Sequence, residues 1–93
     1  AARLMVYRCA AQKDQGREQN TLDTCMAKYY ACDAASRLAD LALLIFGAYG
    51  YSGEYPVERY LRDAKLYQLL EGSANVQKMI IAQDALGYRK ANR

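Results

Sequence analysis

The residues best placed for chemistry are one carboxylate and the backbone beside it. Glu71 stands directly before Gly72 and Ser73 in the stretch QLLEGSANVQ, residues 68–77, at the junction of two helical-looking segments. A carboxylate there can act as a proton-abstracting base. The backbone N–H groups from Ser73 to Val76 would open the following helix incompletely hydrogen-bonded, which favours a phosphate or another anion close by. The same position also suits a carboxylate that only caps a helix or pairs with a neighbouring Lys or Arg. The sequence has no histidine, so it lacks the commonest general base and the commonest metal ligand. Proton chemistry is left to Asp, Glu, Lys, Tyr or Cys, and no metal site is expected.

The elements that must hold Glu71 read as helices. Ninety-three residues, 53% of them hydrophobic, make one small domain with a modest core and no room for separate cofactor and substrate domains. Ala1 to about Asp14 places Leu4, Tyr7 or Arg8, and Ala11 at helical spacing, with Gly16 as a stop. This segment has no start signal, so it is expected to be the tail of a longer helix, the chain being incomplete at its N-terminal end. Asn20 is a candidate cap with Asp23 three positions on. From there Leu22, Cys25, Met26, Tyr29, Cys32, Ala35, Leu38, Ala39, Ala42 and Ile45 follow a 3.6 period up to Gly47. That helix, roughly 39 Å long by the standard rise, should be central, its alanines letting neighbours approach closely.

Residues 47–56, GAYGYSGEYP, hold three of the six glycines and the only proline and read as a loop. Tyr49, Tyr51 and Tyr55 within it either line a pocket or pack against the bundle. Pro56 suits the first turn of a third helix, with Val57, Tyr60, Leu61, Ala64 and Tyr67 on one face, running to about Leu70. Gly72 can supply its left-handed stop. Ser73 can cap a fourth helix whose apolar face is Val76, Met79, Ile80 and Leu86. The fold class is therefore all-α, an antiparallel bundle of about four helices.

The net charge of +3 comes from thirteen basic and ten acidic residues that are interspersed, with a small surplus at Arg89, Lys90 and Arg93. Arg59, Arg62 and Lys65 alternate with Glu58 and Asp63, a solvated or interfacial ion-pair face, so nucleic acid is not expected as a partner. The longest uncharged run, Leu41 to Gly53, is thirteen residues and is interrupted by glycines, so no membrane span is expected. Cys9, Cys25 and Cys32 cannot all pair internally and read as small core residues. Without a secretory leader before them, a reduced compartment is expected: the cytoplasm, or the mitochondrial matrix in a eukaryote.

The run ALLIFGAYGYSGEYPVERYLRDAKLYQLLEGSANVQKMIIAQ resembles the C-terminal helical domain of acyl-CoA dehydrogenases. The pattern combines the loop of Gly47, Gly50 and Tyr51, Pro56 with Glu58-Arg59, the run Arg62-Asp63-Ala64, and Glu71-Gly72-Ser73 followed by Gln77. Asp14, Gly16 and the run Ala27 to Ala31 extend it to nearly the whole chain. The resemblance implies that the N-terminal helical and middle β domains of the family are absent from this chain. It implies FAD as cofactor, an acyl-CoA substrate, electron-transfer flavoprotein as electron acceptor, and a homotetramer or homodimer.

By the same resemblance, Glu71 matches the base that removes the α-proton of the thioester while a β-hydride passes to FAD. Its backbone N–H and a flavin hydroxyl would bind the thioester carbonyl, Gly72 would let the chain turn, and Leu70 would shape the acyl pocket or pack. Ser73, Ala74 and Asn75 match positions that touch FAD. Ser73 keeps the hydroxyl of the family's threonine, whereas Ala74 lacks that of its serine and could contribute only backbone. Leu44, Ile45, Phe46, Gly47 and Ala48 match a Gln-x-x-Gly-Gly segment that contacts the FAD of a neighbouring subunit. Leu44 removes an amide group there and Ala48 adds a methyl. Two alternatives stand beside the dehydrogenase: an acyl-CoA oxidase of the same fold, and a helical oligomerisation module that no longer does chemistry. The isolated chain is expected to be inactive.

Overall fold

The computed structural model describes residues 1–88; the basic group Arg89, Lys90 and Arg93 lies outside them. All regular structure among the described residues is helical, in five elements: α1 (Ala2–Asp14), α2 (Thr21–Phe46), α3 (Ala48–Tyr51), α4 (Val57–Tyr67) and α5 (Ala74–Ala85). Among the described residues no helix is long and apolar enough to cross a membrane.

The long helix α2 is the spine, as its period and alanines predict. α1, α4 and α5 each pack on α2 and not on one another. All three run antiparallel to it. Arg8 pairs with Asp23 at 3.2 Å. Ser36 Oγ donates to Ala64 O at 3.2 Å, and Lys28 Nζ to Tyr67 O. Lys78 lies 5.0 Å over the Tyr29 ring, while Asp84 lies beside Asn20 and Asp23. The buried apolar residues are Cys25, Ala27, Cys32, Val57 and Ala64. Such small side chains bring helix axes close, so the core is thin.

This arrangement is open. The radius of gyration is 16.1 Å and the extents are 47 × 27 × 18 Å, whereas a compact domain of this length would have a radius of roughly 12 Å. An 18 Å thickness is about two helix diameters. One face of the C-terminal half of α2 consequently stays uncovered: Leu38 and Ile45, expected to be buried, are exposed, Ile45 by 84%.

Three other faces differ from the expectation, the first being that of α4, where Val57 and Ala64 are buried but Tyr60 and Tyr67 are exposed. α1 turns Met5, Cys9 and Gln12 inward and leaves Leu4 and Tyr7 exposed. Both stripes have helical spacing, and tertiary bonds choose between them. Asn20 Nδ2 donates to Cys9 O at 3.2 Å, and Asp23 also pairs with Arg17 at 3.3 Å. Asn20 is thereby committed to joining α1 to α2, and its side chain does not cap α2. On α5, Val76, Met79 and Leu86 are exposed, and Leu86 lies beyond the last helical residue. A helix with one neighbour needs only a narrow stripe, here Gln77, Ile80, Ile81 and Asp84.

The stretch expected to be a loop contains α3, which accounts for five helices rather than four. Gly47 ends α2 at φ 60° and ψ −140°. Its carbonyl accepts from Gly50 N at 3.0 Å, starting a single turn that folds back on α2. The approach is close enough that a Cβ on the buried Gly50 would lie 2.7 Å from Phe46 Cβ and 3.0 Å from Leu43 O. Tyr55 packs edge-on against Phe46 and Tyr49, each at 5.9 Å between centroids, whereas Tyr51 is exposed and borders a groove.

Candidate active site

The connection from α4 to α5 is closed at its base and open at its tip. α4 ends at Tyr67, three residues before the expected stop, although Leu70 N still donates to Leu66 O at 3.0 Å. Ala74 N donates to Gln68 O at 2.8 Å and ties the loop shut. Ser73 Oγ accepts from Val76 N at 3.5 Å, the expected cap. Between these ties two successive residues are left-handed, Glu71 at φ 53° and Gly72 at φ 90°. The left-handed backbone of Gly72 was legible, although α4 has already ended before it. That of Glu71 was not, since a residue with a Cβ costs about 1–2 kcal/mol there.

Glu71 is exposed, and its carboxylate has no hydrogen bond or ion pair among the described residues. It neither caps nor pairs: Ser73 does the capping, and Lys65 donates instead to Gln68 Oε1 at 2.9 Å. The backbone N–H groups of Glu71, Gly72, Ser73 and Asn75 are also without protein acceptors among the described residues. An unpaired carboxylate thus sits beside three successive free donors. One residue offers a proton acceptor and a donor to an oxyanion.

Gln77, quoted in the sequence only as part of a pattern, proves to belong to this junction. It is buried, and its Nε2 donates to Gly72 O at 3.1 Å. A polar residue on the inward stripe of α5 is the signal that would have found it. Leu70, just before Glu71, is half-exposed and borders a groove of about 560 Å³ with Ala35, Tyr60, Ala64 and Tyr67. Another groove, about 880 Å³, runs past Leu43, Tyr51 and Leu61 and does not include Glu71.

The two segments expected to touch FAD fit it unequally. At the N-terminus of α5, Ser73 N–H, Asn75 N–H and the exposed Asn75 amide are free to meet a polar cofactor. The backbone donor expected at Ala74 is not free, being bound to Gln68 O, so Ala74 offers neither hydroxyl nor N–H. At the far end of α2, Gly47 N is bound to Leu43 O and Leu44 O. There Leu44, Ile45, Phe46 and Ala48 present exposed apolar surface, and a Cβ on Gly47 would meet open space. Since Tyr67 lies at the level of Lys28, Leu44 is roughly 24 Å further along α2 by the helical rise. The structure therefore does not bring residues 44–48 together with Glu71. No group of three or more His, Cys, Asp or Glu residues among the described residues is placed to hold a metal.

Comparison with known proteins agrees with this fold. The family described as acyl-CoA dehydrogenase, C-terminal domain, matches residues 1–86. Glutaryl-CoA dehydrogenase of Desulfococcus multivorans is 61% identical over all 93 residues, which are 24% of that protein. Cyclohexane-1-carbonyl-CoA dehydrogenase of Geobacter metallireducens is 48% identical over 86 residues, 92% of this chain and 22% of that one. A solved structure of glutaryl-coenzyme A dehydrogenase in complex with glutaryl-CoA superposes with a TM-score of 0.92 and 61% identity. That match covers 99% of this chain and 23% of the other. The chain thus spans about a quarter of the length of these relatives. With a family match over nearly its whole length and the fold to accompany it, the chain belongs to the acyl-CoA dehydrogenase family and corresponds to its C-terminal helical domain.

Proposed function

We propose that this chain is part of an FAD-dependent acyl-CoA dehydrogenase in which Glu71 removes the α-proton of an acyl-CoA thioester on the way to the 2-enoyl-CoA. The observation that carries this reading is Glu71 itself, left-handed, with carboxylate and N–H both unpaired. The α-proton of a thioester is a very weak acid, and a carboxylate in water has a pKa of about 4.3. Two effects narrow the gap. A bound acyl chain excludes water and so raises the basicity of the carboxylate, while the Glu71 N–H donates to the thioester oxygen and stabilises the enolate. Leu70 and its groove supply the apolar wall.

Ser73 and Asn75 would hold FAD near Glu71, and FAD supplies the acceptor for the β-hydride. Residues 44–48, too far away to share that contact, would meet a cofactor held by another subunit of a homodimer or homotetramer. Electron-transfer flavoprotein would be the acceptor. The free cysteines Cys9, Cys25 and Cys32 suit a reduced compartment.

The test is anaerobic bleaching of FAD in the full-length protein by a panel that includes glutaryl-CoA and cyclohexane-1-carbonyl-CoA, the thioesters named in its relatives. Wild type is expected to bleach with at least one member, whereas Glu71→Gln binds thioester without bleaching. Equal bleaching by both proteins would remove Glu71 as the base. Rapid reoxidation of the reduced flavin in air would identify an oxidase instead.

A further inference from the structure

Gln77 is a polar side chain where α5 needs an apolar one. It is 7% exposed and sits on the stripe that faces α2. Burying an amide costs free energy unless hydrogen bonds replace water. Here Nε2 donates to Gly72 O at 3.1 Å, but Oε1 is buried without a partner. Exchanging the two ends of the amide would set Oε1 against the Gly72 carbonyl, so that bond fixes the orientation. A Cβ on Gly72 would collide with Gln77 Nε2, so the amide lies hard against the peptide that follows Glu71. Leucine or methionine would fill the space at lower cost. What the amide adds is its grip on a glycine carbonyl, in a peptide that otherwise reorients easily.

We propose that Gln77 is the positioning residue for Glu71. Its amide holds the Gly72 peptide, and with it the left-handed pair that keeps the Glu71 carboxylate and N–H free to face one ligand. The proposal rests on the assignment of Glu71 as base, and its test separates the two.

In the full-length protein, Gln77→Met keeps volume and removes the donor. The expected result is unchanged flavin content and substrate-analogue affinity within about threefold, with flavin reduction slowed by about 10–100-fold, the cost of a small misplacement. Hydrogen exchange of residues 68–76 should quicken while α2 is unaffected. A wild-type reduction rate overturns the proposal. If Gln77→Met does not fold, Gln77→Glu decides: a neutral carboxyl can donate to Gly72 O and an ionised one cannot. The reduction rate of Gln77→Glu relative to wild type should rise as pH falls, and a flat ratio overturns the proposal. Should Glu71→Gln reduce flavin as fast as wild type, the base assignment fails on its own. The exchange measurement then judges Gln77, unchanged exchange overturning it.

Discussion

Replacing Glu71 by glycine should leave the chain more stable than replacing it by alanine. Glu71 stands at φ 53°, is exposed, and has no partner that truncation would remove. Alanine keeps the Cβ and with it the left-handed cost of about 1–2 kcal/mol. Glycine escapes that cost but carries about 0.5–1 kcal/mol of extra unfolded-chain entropy. Taken at the midpoints of these ranges, the net advantage of glycine is about 0.75 kcal/mol. With a urea slope of about 1 kcal/mol/M for a small domain, Glu71→Gly should unfold at about 0.75 M more urea than Glu71→Ala. Far-UV circular dichroism of the 93-residue chain, dilute enough that its exposed leucines do not associate, reads this directly. Equal slopes are required for the comparison. The sign is diagnostic, because at an ordinary negative φ glycine is the less stable choice. A Glu71→Gly midpoint at or below that of Glu71→Ala would refute the claim that the backbone is strained to present the carboxylate.

Ser73→Ala removes the cap of α5; the 3.5 Å bond is long, so the loss should lie near 0.5–1 kcal/mol in the same urea assay. Gly50→Ala places a methyl 2.7 Å from Phe46 Cβ and should cost about 1–3 kcal/mol as α3 lifts off α2, an effect absent from Gly53→Ala, where a Cβ meets open space. Burial pushes the Cys25 thiol above its ordinary range. A raised folded-state pKa gives stability that is complete below the unfolded value, about 8.5, and is lost as pH rises through the folded one. Between pH 8 and 9.5 the wild type should therefore lose more stability than Cys25→Ala, and parallel losses would contradict the assignment.

What the sequence disclosed depended on whether the signal was local. The α2 helix is long enough for its period to stand out, and Gly47 and Ser73 are a stop and a cap whose residue types carry their own mechanism. Helical spacing does not say which of two stripes meets a neighbour. Leu4 and Tyr7 lost to Met5 and Cys9 because Arg8, Asn20 and Asp23 set the rotation of α1. The single turn of α3 is too short to leave a period and depends on the contact of Gly50 with Leu43 and Phe46. At the site, Glu71 was legible through its resemblance. Its left-handed backbone and the bond from Gln77 to Gly72 arise only when α5 folds back onto the connection.

The open layer bears on how the proposed site must be completed. A helical array that buries mainly alanine, cysteine and valine gains little from each residue, yet leaves Leu38, Leu41, Leu44 and Ile45 in water along one end of its longest helix. That end is also where residues 44–48 lie, about 24 Å along α2 from the level of Tyr67. A single copy can offer Glu71 and its free donors to one ligand only. The apolar end of α2 is then surplus to that centre, and contiguous surface of this kind is usually covered by another domain or subunit. On the proposed function, the departures at Leu44 and Ala48 would weaken retention of a neighbour's flavin while leaving proton abstraction at Glu71 intact. Flavin content and reduction rate should accordingly respond to different substitutions, the first to residues 44–48 and the second to residues 71, 72 and 77.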